Sequence, residues 1–85
     1  MTENARALST IAADVRRTWP KVSPYAKPYL DAMGSLDNLN QNFYEDSAQS
    51  VVLYFLSNTQ SWRGEDAKRI KAELKSMLNA SGYKI

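Results

Sequence analysis

Asp37, Asn38, Asn40, Asn42 and Asp46 lie close together and carry the oxygen atoms that bind calcium. A calcium loop needs oxygen ligands at its first, third, fifth and twelfth positions and glycine at its sixth. Starting at Asp37 puts Leu39 third; starting at Asn38 puts Phe43 sixth and Gln49 twelfth. Neither register coordinates a cation, so the stretch reads as a helix break followed by a cap. The adjacent carboxylates Glu45/Asp46 and Glu65/Asp66 are the next candidates, for acid–base chemistry. Neighbours on a helix point about 100° apart and do not converge on one substrate atom. Their expected role is to complement helix dipoles.

The chain has no histidine and no cysteine. That excludes His–Cys zinc sites, Ser–His–Asp triads, Cys–His dyads and thiol redox chemistry. Its three glycines, at 34, 64 and 82, are isolated, so no glycine-rich loop is present to cradle a phosphate. The expectation is a protein that is not an enzyme and that needs no metal or cofactor.

Binding chemistry is better represented. Lys68, Lys71 and Lys75 recur at helical spacing on one edge of an apolar arc formed by Ala67, Ile70, Leu74, Met77 and Leu78. Asp66 and Glu73 fall on the opposite edge. Glu65–Arg69 and Arg69–Glu73 have ion-pair spacing along the same helix. The lysines read either as a solvated face whose stems cover the rim of a core or as a stripe that meets phosphates or an acidic partner. Trp62 and Arg63 are residue types enriched in binding hot spots. Trp62 equally suits a core position beneath the preceding turn. Candidate partner-binding residues are therefore Trp62, Arg63, Lys68, Lys71 and Lys75. Candidate nucleic-acid-binding residues are Arg16, Arg17, Lys21, Lys68, Lys71 and Lys75. A helix-turn-helix reading fits poorly, because Gly64, Glu65 and Asp66 occupy the end that would approach phosphates.

Four helices are needed to position these groups. Apolar residues at 5, 8, 11, 12, 15 and 19 predict helix one over about 3–18, capped by Thr2 and ended by Pro20. Pro28, Tyr29, Leu30, Met33 and Leu36 predict a short second helix over about 28–36. Asn42 and Glu45 have the spacing of a capping box for helix three, about 43–58. Val51–Leu56 has strand-like composition, but no second such run exists to pair with it, so it reads as helix. Ser61 is the expected cap of helix four, about 62–80, with Gly82 as the left-handed terminator and Tyr83 folding back. The fold class is all-α: a small single-domain bundle of three longer helices and one short one over residues 1–85.

The net charge is +2, distributed as a mainly basic segment over residues 1–30, an acidic one over 31–46 and a mainly basic one over 47–85. Such alternation suits internal pairing better than one continuous nucleic-acid tract. The start of the chain has no basic segment followed by an apolar one, and no apolar run approaches bilayer length. The expectation is a cytoplasmic protein without a membrane partner. A domain this small gains stability by association, so a homodimer is a further expectation.

The stretch SAQSVVLYFLSNTQSWRGEDAKRIKAELKSML resembles one that recurs in small uncharacterised helical proteins of actinobacteriophages, of the mycobacteriophage type. The preceding PYLDAMGSLDNL is similar to that group as well. The resemblance covers about residues 28–78, and its most specific element is Trp62-Arg63-Gly64-Glu65 followed by Ala67, Lys71, Glu73 and Leu74. It implies a setting: a nonstructural phage product in the bacterial cytoplasm that acts by binding a host or phage protein. Nucleic-acid binding through helices one and four is the alternative.

Overall fold

The first helix, α1 (Leu8–Thr18), buries Leu8, Ile11, Ala12 and Val15, the apolar stripe that its spacing predicts. In the computed structural model, which describes residues 6–82, it starts later than expected. Ala7 precedes it in extended conformation without a side-chain cap. Its first donors are satisfied from across the fold: Leu8 N–H donates to the Asp37 carbonyl at 3.1 Å and Ser9 N–H to the Leu36 carbonyl at 2.8 Å. The helix therefore begins where acceptors await its orphan N–H groups. The expected Thr2 cap lies outside the described residues. The other end is as predicted, with Trp19 leaving the helix ahead of Pro20.

The second helix, α2 (Lys27–Met33), carries proline in its first turn and buries Leu30, Ala32 and Met33. It ends before Leu36, which remains buried in the turn that follows. A small hairpin then departs from the all-α expectation. Strands β1 (Asn42–Phe43) and β2 (Asp46–Ser47) pair antiparallel, with Phe43 opposite Asp46 and Tyr44-Glu45 at the tip. Tyr44 takes a left-handed φ of 57° to close it. Asn42 is thus a strand residue and caps nothing. The cap of α3 (Ala48–Leu56) is Ser47, whose hydroxyl accepts from Ser50 N–H at 3.1 Å. Val51–Leu56 lies within this helix, as expected.

The fourth helix, α4 (Glu65–Ala80), starts after Gly64 rather than at Trp62. Gly64 has φ 109° and ψ −177°, a combination open to glycine almost alone, and this corner swings Trp62 out of the helix and into the core. Ser61 therefore does not cap. Gly82 has the positive φ expected of a terminating glycine, 87°. Tyr83 lies outside the described residues.

The chain is mostly helical. Each helix packs on its neighbours in sequence, and α4 closes back onto α1. The buried residues form one cluster. At one end of it Trp19 and Trp62 stack with centroids 5.2 Å apart and planes 6° from parallel. Phe55 meets both indoles edge-on at 6.4 Å. These contacts join the α1–α2 and α3–α4 connections through the core.

Candidate functional site

The charges of α4 divide between its two edges. On the edge facing α1 they are consumed internally. Asp14, a side chain only 9 % exposed, accepts hydrogen bonds from Arg6, Arg17 and Arg69. Arg6 also forms a two-pronged contact with Glu73, at 2.6 and 2.8 Å, and Arg69 reaches Asp66 at 3.1 Å. Burial alone would raise the Asp14 carboxyl, but the bonds from Arg69, Arg17 and Arg6 outweigh it and hold its pKa near 2. The expected pairs of Arg69 with Glu65 and Glu73 do not form. Glu73 is taken by the two-pronged contact with Arg6, and Arg69 divides its nitrogens between Asp14 of α1 and Asp66 of its own helix.

The other edge, toward α3, is basic throughout. Arg63, Lys68 and Lys75 are exposed. Among the described residues no carboxylate lies within ion-pair distance of any of them. Lys71 sits between them and behaves differently. Its ammonium donates to the Trp62 carbonyl at 2.7 Å and the Thr59 carbonyl at 2.9 Å, and lies 5.8 Å from the Trp62 ring centroid. Burial pushes its pKa down, and the nearby charges of Lys75 and Arg63 add to the effect. Lys71 is thus a clamp on the α3–α4 connection rather than an available cation. Thr59 itself is buried and its hydroxyl donates to the Leu56 carbonyl.

The candidate residues are accordingly redistributed. Trp62 is 3 % exposed and belongs to the core, so it cannot anchor a partner. Arg63, Lys68 and Lys75 stay together on the surface. Of the nucleic-acid candidates, Arg16 is paired with Asp31 at 2.6 Å and Arg17 with Asp14. Lys21 is exposed. It lines a cleft of about 360 Å³ with Arg16, Trp19, Pro20, Val22 and Lys27. The Arg16 hydrogen bond, opposed by burial and assisted by Lys27, holds the Asp31 carboxyl below the usual range.

Sequence reasoning missed Asp14 as the hub of the α1–α4 network and Lys27 as a cleft residue. The spacing of Asp14 and Arg17 on α1 was a visible signal for one of the three contacts to Asp14; those of Arg6 and Arg69 depend on tertiary packing. A larger open groove, about 810 Å³, runs beside Arg6, Glu73, Met77 and the 37–40 turn. Of its lining charges, Arg6 and Glu73 are paired with each other, and Asp37 is the third.

Among the described residues no group of three histidine, cysteine or acidic side chains is placed to hold a metal ion. No helix among them is long and apolar enough to cross a membrane. The chain was compared with protein-family models, curated proteins and solved structures, and none matches.

Proposed function

We propose that this protein is an interaction module that presents the basic edge of α4 to an acidic surface of a host or phage protein in the bacterial cytoplasm. One observation carries the reading. On α4, Asp66, Arg69 and Glu73 are paired with charges of the fold, whereas Lys68 and Lys75 on its other edge, and Arg63 in the connection just before it, have no carboxylate within ion-pair distance among the described residues. Lys71 fixes the backbone from which Arg63 projects, so the three cations hang on a rigid frame. A preorganised patch loses less entropy on binding and steers an acidic partner by its field. Nucleic acid is less favoured, because Arg17 is held in an ion pair with Asp14 and Lys71 by carbonyls. A backbone-tracking surface would keep those groups available.

The test is affinity capture from actinobacterial lysate with tagged wild-type protein and a Lys68→Glu/Lys75→Glu variant, with and without nuclease. The expected result is a near-stoichiometric protein that survives nuclease and is lost with the variant. Capture that disappears with nuclease would transfer the edge to nucleic acid. A partner retained equally by the variant would remove the edge from the mechanism.

A further inference from the structure

The cleft between the end of α1 and the start of α2 holds an arrangement unrelated to the α4 edge. Arg16, Lys21 and Lys27 line it with the apolar walls of Trp19, Pro20 and Val22. Asp31 is the one carboxylate engaged by these cations, bonded to Arg16 at 2.6 Å and approached by Lys27 at 3.6 Å. One acid against three cations leaves the cleft with a surplus of positive charge. Lys21 has no carboxylate partner among the described residues, and only one guanidinium nitrogen of Arg16 is committed to Asp31. Unused donors therefore remain on two of the residues that line the cleft. Apolar walls lower the local dielectric and concentrate the field of the surplus charge. The Arg16–Asp31 contact uses one guanidinium nitrogen and leaves the others available to donate.

We propose that this cleft binds a compact phosphate dianion, free or as a monoester, with Lys21 and Arg16 as the principal donors and Lys27 completing the charge. A cleft of about 360 Å³ accommodates a phosphate together with a small substituent, but not a folded chain. Asp31 then has two opposed effects: it orients Arg16, and its own charge opposes the ligand.

The experiment is a titration of the intact protein with inorganic phosphate, then with phenyl phosphate, followed by amide NMR at constant ionic strength. Saturable shifts are expected around Lys21, Val22 and Lys27, with phosphate and its monoester sharing the site. Lys21→Gln is exposed and leaves the fold intact; it should weaken binding about five- to tenfold, the effect of one screened unit charge on a dianion. Asp31→Asn keeps an acceptor for Arg16 while removing the opposing charge, and should tighten binding. Lys75→Gln, on the α4 edge, should leave it unchanged. Shifts spread evenly over all exposed cations, or affinity unmoved by Lys21→Gln, would overturn the assignment. Binding of the monoester without inorganic phosphate would overturn it too, by showing that the substituent is what is recognised. Because the readout is at Lys21 and Lys27, its failure leaves the reading of the α4 edge untouched.

Discussion

Replacing Lys71 by methionine isolates the clamp, because the unbranched stem is kept and only the ammonium is lost. Two hydrogen bonds disappear, to the carbonyls of Thr59 and Trp62, at 2.9 and 2.7 Å. Bonds from a charged donor contribute about 1.5–3 kcal/mol each. The cation–π contact adds about 0.5–1 kcal/mol at a site that is not fully dry. Against this, the wild-type ammonium is partly desolvated, at a cost that the variant recovers, a fraction of the several kcal/mol for complete burial. The net expectation is a loss of about 2 kcal/mol for Lys71→Met. In a chain of this length that lowers Tm by about 10 °C. The assay is urea unfolding followed in parallel by far-ultraviolet circular dichroism and tryptophan emission, since Trp62 lies directly under the clamp. Lys75→Met, one turn along the same edge but exposed, is the control and should stay within about 0.5 kcal/mol of wild type. If the two variants prove equally stable, Lys71 is an ordinary surface lysine and the clamp argument fails.

Two further outcomes follow from the same geometry. The Asp14 carboxyl falls from an ordinary 3.8 to about 2 in the folded state, so its stabilising contribution is complete above about pH 4 and is lost as pH drops through 2. That contribution is on the order of 2 kcal/mol; Asp14→Asn should flatten the stability curve between pH 4 and 2, measured by urea midpoints across that range. Gly64→Ala should cost about 1–3 kcal/mol although an added Cβ would meet no atom within 4 Å, because the cost lies in the backbone angle and not in a clash. A midpoint unchanged by that substitution would mean that the corner before α4 relaxes freely.

Helical periodicity made the helices legible where one face is apolar over several turns. The buried residues of α1 and α4 fall within the apolar stripes read from the sequence. Boundaries failed where tertiary contacts decided them. The start of α1 depends on carbonyls of Leu36 and Asp37, which no local pattern announces. The hairpin rests on Tyr44 accepting a left-handed angle usually left to glycine or asparagine, so the turn carries no signal in residue type. The partition of lysines and acids on α4 was visible on a helical wheel. Which edge would be neutralised was not, because Asp14 and Arg6 come from elsewhere in the chain. Trp62 was ambiguous for a physical reason: an aromatic beside arginine fits a hot spot and a core equally well, until Gly64 turns the chain inward.

The charge pattern of α4 is difficult to account for by stability alone. Asp66, Arg69 and Glu73 each contribute to a network that ties α4 to α1 and to the segment before it. Lys71 has its own use in holding the α3–α4 connection. Arg63, Lys68 and Lys75 have neither kind of partner among the described residues. Arg63 and Lys75 lie close enough to Lys71 to disfavour its charged form. Gathered like charges repel, by a few tenths of a kcal/mol per neighbouring pair on a helix, so the fold is held together in spite of this edge. A small domain has little stability to spare for such an arrangement. On the function proposed above, an acidic surface covering the edge would relieve this repulsion, and the energy that the isolated fold forgoes would reappear as part of the binding energy, with Lys71 holding the patch in place beforehand.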